Sequence, residues 1–403
     1  NWMNRQPGSR FQYPYNHRRV GRVNLFADLN RGDGYLPAAR KVLPPMPHPH
    51  LPLLMELSSC PGPPGGEQQL ARLLQSQMED FCDIRYDGLG SLLAEKPGLL
   101  ERPRLLLCAH MDEIGFMVQS ITDKGFLRLQ PLGSWNTLAL AASRLVIHTG
   151  KGDVPGVIPA IPPHFKKQAE SQRDTDEILA DLGVFSRQEV QEVGVMLGDL
   201  VTPAPRFDIF GLKVVANKAW DDRAGCAAMV LAMQHLDKKV HSATVIAAGT
   251  VQEEVGGRGA TTAVEVAKPD LAIVLEGAPA DDLPGLAKDE PQGALGRGCQ
   301  IRLYDPTTIV NRKLWQWARD LAAGHNIPHQ LAVRQSGSTD ARPIHVAHGG
   351  IPTLVIATPV RYIHSPVGLL HLDDFEATVA LLKIIVETLD LKTFEYLTSY
   401  KKP

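Results

Sequence analysis

Cysteine is scarce in this chain. Five occur among 403 residues (Cys60, Cys82, Cys108, Cys226, Cys299), an odd number, scattered and never as CxxC. That argues against a disulfide framework or a cysteine-ligated zinc and suits a reducing compartment. Long apolar runs are missing too. Leu105–Cys108 and Ala243–Ala248 fall far short of the about 18 residues a membrane span needs. Net charge is nearly absent, with 42 Lys and Arg against 44 Asp and Glu. Nothing in that balance favours a nucleic-acid or membrane-surface partner. No apolar segment follows the N-terminal arginines, so no signal peptide is expected and the cytoplasm is the default location. No acidic residue precedes Asp28, whereas Arg5, Arg10, Arg18, Arg19 and Arg22 lie among Tyr, Pro and Asn. Pro7 and Pro14 oppose the amphipathic helix of a transit peptide, so residues 1–46 are read as a disordered extension.

What is present is 44% hydrophobic content, ample for a sizeable core and two or three domains. Leu70, Leu73, Leu74, Met78 and Phe81 have helical spacing within Gly66–Phe81. Leu105–Cys108 reads as a short buried strand. From about residue 119 to 207 the chain changes character, with β-like pieces at Phe126–Leu129 and Arg144–His148, many Gly and Pro turns, and a polar insert, Lys166–Asp176. This predicts a small β-rich domain inserted into a larger one formed by 47–118 and 208–403. After Val214, helices (Ala224–Leu236, Leu314–Ala323) alternate with strands (Ala243–Val251, Leu271–Leu275, Ile351–Ala357). A final helix capped by Asp373 or Asp374 runs to Leu389. Such alternation argues for a three-layer α/β/α domain.

Acidic and imidazole groups gather where these strands end. Glu253-Glu254 stand side by side after an apolar run, and neighbouring strand residues point to opposite sides. One carboxylate could bind a cation while the other reaches a water on it. His110-Met-Asp112 ends a strand, with Asp112 able to hold the second ring nitrogen of His110. One aspartate of Asp221-Asp222, just before a helix, could bridge two cations; the pair could equally be a helix cap with dipole-favourable charge. Glu276 ends Leu271–Leu275, and a carboxylate there seldom lacks a partner. His364 follows the strand Ile351–Ala357. Strand ends are where open α/β sheets bind ligands. Oxygen and imidazole donors without cysteine fit a catalytic zinc, cobalt or manganese centre. Each piece alone has an ordinary explanation, but together they require five coincidences.

His110-Met-Asp-Glu-Ile-Gly-Phe-Met117, Asp221-Asp-Arg-Ala-Gly225, Glu253-Glu-Val-Gly256 and Tyr362-Ile-His-Ser-Pro366 together resemble the glutamyl-aminopeptidase and tetrahedral-aminopeptidase family of dinuclear metallopeptidases. Some of its members were labelled endoglucanases. The resemblance covers roughly residues 50–395. It implies an α/β/α catalytic domain interrupted by a PDZ-like β domain used in dimerisation, and self-assembled particles. By position, His110 and Glu276 would bind one divalent metal, Glu254 and His364 another, with Asp221 bridging. Glu253 would be the general base and Asp112 would orient His110. The family often has aspartate where Glu276 stands, and its Gly-Gly-Thr-Asp segment is Gly337-Ser-Thr-Asp340 here. The expected function is removal of N-terminal residues from peptides. A metal-dependent deacylase or a glycosidase-type hydrolase is the alternative, and a non-catalytic scaffold would lack a ligand or the base.

Overall fold

The computed structural model describes residues 48–165, 177–286 and 290–399. The expected extension over 1–46 and the insert Lys166–Asp176 lie outside the described residues.

Four strands, Thr244–Thr250, Arg104–His110, Leu271–Pro279 and Thr353–Arg361, pair parallel in that order at the centre of a twelve-stranded sheet. Their apolar runs are nearly continuous because both faces are covered, as a parallel sheet requires. Alternate residues enter two cores. Leu105, Leu107, Val245, Ile273 and Ile356 join the helices Leu51–Ser59, Gln68–Ser76, Trp220–Leu236 and Leu372–Thr388 on one face. Leu106, Cys108, Ile246, Val274 and Val355 meet Ala260, Val264 and Ile344, from the helices Arg258–Ala267 and Ala341–Val346, on the other. The three layers thus follow from the two-residue period of the strands. Antiparallel strands flank the centre, Leu92–Lys96 on one side and Cys299–Asp305 or Gly368–His371 on the other.

A second, six-stranded antiparallel sheet runs from Gly115 to Pro203 with its own core, including Phe116, Leu129, Ile147, Val190 and Val201. It begins only five residues after His110, earlier than the change of composition at 119, because Phe116 and Val118 are buried in it.

Several elements differ at their ends. The first periodic segment is helical only over Gln68–Ser76; Met78 and Phe81 still pack on the core, but from turns. The helix starting at Leu372 is capped not by Asp373 or Asp374 but by His371, whose Nδ1 accepts the Asp373 N–H at 3.2 Å. Asp374 instead turns to a neighbouring loop and accepts the N–H groups of Gly296 and Gly298 at 2.7 and 2.6 Å. That helix is also followed by another, Leu391–Thr398. Among the described residues, no helix is long and apolar enough to cross a membrane.

Candidate metal centre

The parallel register brings the acidic strand ends together. Thr250 pairs with His110, so the chain turns into Gln252-Glu253-Glu254 beside it. Val274 pairs with Cys108, so the side chains of Glu276 and His110, two residues further on, point to the same side. Glu276 lies inside its strand, which continues to Pro279 along the neighbouring strand, and does not end it as expected. Glu276 pairs in turn with Ala357, on the strand that leads to His364.

His110 is 2% exposed. Its Nδ1 lies 2.9 Å from the carbonyl oxygen of Asp112, which can only accept, so Nδ1 carries the hydrogen. The Asp112 carboxylate stands farther off, at 3.6 Å. It accepts instead the backbone N–H of Glu253 at 2.9 Å and of Glu254 at 3.0 Å. Asp112 thus holds His110 chiefly through its main chain and uses its carboxylate to fix the glutamate pair. Both Asp112 groups therefore stand on the Nδ1 side of His110, the main-chain carbonyl nearer because the chain turns tightly after His110.

With Nδ1 occupied, the His110 Nε2 lone pair faces Asp221 Oδ1 at 3.1 Å and Glu276 Oε1 at 3.3 Å. The other Asp221 oxygen lies 3.5 Å from His364 Nε2, and Glu254 Oε2 lies 3.6 Å from the same nitrogen. Acceptors facing acceptors at such distances require a proton or a cation between them. Among the described residues, no lysine or arginine forms an ion pair with Asp221, Glu253, Glu254 or Glu276.

The proton affinities register this excess of negative charge. Burial, reinforced by Asp221, pushes both Glu254 and Glu276 up to about 8. Burial also raises Glu253 well above the carboxylate range. Asp221 goes the other way, since His110 and His364 outweigh its burial. Burial disfavours a charged imidazole at both histidines, yet their carboxylate partners lift His364 to about 9 and His110 well above its usual value. Three raised carboxylates around one lowered one describe a cluster that cannot ionise fully unaided. The donor set therefore fits divalent cations.

Potential ligand atoms of His110, Asp221 and Glu254 lie within 4.8 Å of one another, as do those of His110, Asp222 and Glu276. Glu253 belongs to neither group. Asp222 was not singled out from the sequence as a ligand, and its Oδ1 accepts the Gly225 N–H at 2.9 Å. Asp221 faces both histidines, while Asp222 bonds the first helical turn through Oδ1 and leaves Oδ2 buried without a hydrogen-bond partner, beside His110 and Glu276.

Charged residues that sequence reasoning passed over support the site. Glu113, Lys218 and Arg223, all at most 2% exposed, form a buried ion cluster. Lys218 donates to Glu113, and Arg223 donates to the Leu57 and Cys60 carbonyls at 2.7 Å. Burial lowers the Lys218 pKa. Each of the three stands within or beside a quoted motif, which was the available signal. Asp340 of Gly337-Ser-Thr-Asp340 accepts the Thr250 hydroxyl at the end of its strand. A narrow cleft is lined by Glu113, Lys218, Asp221, Glu254 and His364.

His364 lies in a loop with two non-glycine residues at positive φ, Tyr362 (63°) and His364 itself (56°). Asp282 holds the start of that loop through a two-pronged pair with Arg361, at 2.7 and 2.6 Å. The six-stranded region also reaches the centre. Asn136 N–H donates to the His364 carbonyl at 2.9 Å. A Cβ at Gly133, which sits at φ +88°, would lie 2.6 Å from Ile114 Cγ2 and 3.2 Å from Glu254 Oε2, so this loop packs closely against that glutamate.

Known proteins match this arrangement over most of its length. Lysyl aminopeptidase of Pyrococcus furiosus is 33% identical over 84% of this chain and 96% of its own. The crystal structure of a TET aminopeptidase from the marine sediment archaeon Thaumarchaeota archaeon SCGC AB-539-E09 superposes with a TM-score of 0.83. It shares 37% identity, covering 86% of this chain and 98% of the other. The TET1 peptidase of Pyrococcus horikoshii, described as assembling into a tetrahedron or a large octahedral shell, gives 0.76 at 31% identity over 84% and 99%. Residues 90–381 match the family described as M42 glutamyl aminopeptidase, a stretch containing all seven acidic and imidazole residues picked out at the strand ends. By that match, and by the folds that share it, the chain is a peptidase of the M42 glutamyl aminopeptidase family.

Proposed function

We propose that this peptidase is a dinuclear metalloaminopeptidase, with His110 and Glu276 holding one divalent cation, Glu254 and His364 the other, and Asp221 between them. One observation carries the reading: the two Asp221 oxygens face one histidine each, in a cluster where carboxylates outnumber histidines and, among the described residues, no lysine or arginine pairs with them. Zinc is the first choice and cobalt or manganese are accommodated, since nitrogen and oxygen donors accept all three. Bound there, the cations supply Lewis acidity and a water of lowered pKa.

The remaining work falls to the chain. Glu253, outside both ligand groups, takes a proton from the attacking water and delivers it to the departing amine. Asp112 keeps that carboxylate in place by holding its backbone and that of Glu254. Burial raises the proton affinity of Glu253, which suits a group that must accept a proton and give it up near neutral pH. A free peptide N-terminus, being cationic, finds surplus carboxylate at the centre, which favours cleavage at the chain end.

We further propose that residues 119–207 form an inserted PDZ-like dimerisation domain and that the protein is a cytoplasmic homo-oligomer. Support comes from the separate core of the second sheet, from Leu138 and Phe185, each 84% exposed in that region, and from the assembly of the Pyrococcus horikoshii relative. The five cysteines are free, as a reducing compartment requires.

The test is Glu253→Gln, assayed on aminoacyl chromogenic substrates. It keeps its metal content while turnover falls by about a hundredfold or more. Near-wild-type activity would refute the base assignment, and activity confined to N-terminally blocked peptides would refute the aminopeptidase reading.

A further inference from the structure

Three consecutive backbone N–H groups precede and include the proposed base and its neighbour, and all three go to buried carboxylates. Glu253 and Glu254 donate to the two oxygens of Asp112. Gln252 donates to Glu67 Oε1 at 3.1 Å, across 185 positions of sequence. Gln252 sits at φ +58°, in the left-handed region, so the chain leaves its strand through a strained residue that must be held.

Glu67 is 2% exposed and stands at the N-cap of Gln68–Ser76, yet its side chain makes no cap bond to that helix. A carboxylate at that position ordinarily serves its own helix. Here Oε1 instead accepts from Gly65, at 3.0 Å, and from Gln252. Among the described residues, no lysine or arginine forms an ion pair with it. A buried carboxylate without a countercharge is retained at a cost, and of its two contacts the long-range one is to the residue before Glu253.

We propose that Glu67 is a positioning residue for the base, clamping the Gln252 N–H so that the strained turn presents Glu253 at a fixed place. It touches no reacting atom and acts through the main chain. The inference rests on the reading of Glu253 as the base.

The experiment compares the full chain, refilled with zinc, as wild type, Glu67→Ala, Glu67→Gln and Glu253→Gln on one aminoacyl chromogenic substrate. Misplacement of the base in Glu67→Ala lowers kcat by about ten- to a hundredfold. KM stays within about twofold, and metal content matches wild type. Glu67→Gln retains an oxygen that accepts both N–H groups and restores kcat to within about threefold of wild type. Should Glu67→Ala fail to fold, Glu67→Asp takes its place with the same expectation, its carboxylate being one methylene short. Wild-type kcat in the truncated variant, equal loss of metal and activity, or a Gln variant as slow as Ala would each overturn the proposal. A Glu253→Gln variant that stays active overturns the base assignment and this inference with it. A dead Glu253→Gln beside a fully active Glu67→Ala overturns the inference alone.

Discussion

His110 has one ring nitrogen committed to a main-chain carbonyl and the other aimed at two carboxylates, so its tautomer and its direction are set by neighbours on different strands. The same crowding makes a measurable prediction about protons. Glu254 and Glu276 are raised to about 8, so below that pH both carry protons for much of the time. A cation must expel them. Protons compete less as pH rises, so apparent metal affinity climbs through about pH 8, and on towards about 9 because His364 must also release its proton to act as a ligand. Calorimetric titration of the metal-free protein with manganese, in buffers of different ionisation enthalpy, should show release of more than about one proton near pH 6.5. Proton-neutral binding there would contradict the arrangement. At this scale the sequence was informative about residue type and poor about division of labour. It identified Asp221-Asp222 as a pair with two uses, but which aspartate faces both histidines depends on backbone direction at the helix start.

The strands of the centre were legible because burial on both faces leaves almost no polar residue in them. Leu105–Cys108, Ala243–Val251 and Leu271–Leu275 all contain or lie within observed strands. Ends were less legible. Met78 and Phe81 keep helical spacing without helical backbone, since apolar spacing records which side chains are buried and a turn can bury them as well. The helix Trp220–Leu236 is almost wholly buried, and its start is tightly packed: a Cβ added at Gly225 would lie 2.3 Å from Asp222 Oδ1. Glycine is required there by the close carboxylate. Gly225→Ala should destabilise the protein by about 1–3 kcal/mol through overpacking, and lower metal occupancy as Asp222 shifts beside Asp221. Chemical denaturation and metal analysis of the purified variant measure both; an unchanged midpoint would show that the helix start can yield.

Across the molecule, the two sheets share the centre, with Asn136 and Gly133 of the smaller one against His364 and Glu254. The buried cluster of two cations and one anion shares a cleft with it. Glu113→Gln removes its anion and should cost about 3–5 kcal/mol in urea unfolding of the metal-free protein, since Lys218 and Arg223 remain buried without compensation. A loss below about 1 kcal/mol would mean that water reaches the cluster. At the level of assembly, light scattering should give a mass at least twice the 44.0 kDa of one chain; a monomer at micromolar concentration would sink the proposed homo-oligomer.

The sequence by itself determined the layered architecture and the kinds of donor at the strand ends. Both are local properties, carried by two-residue and helical periods and by acids that interrupt apolar runs. Tertiary structure alone decided which neighbours those donors meet. The parallel register set Glu276 beside His110, the turn after His110 sent its ring to the Asp112 carbonyl, and Glu67 met Gln252 across 185 positions. Contacts of that span leave no periodic trace in the chain, because they are fixed by how whole strands align.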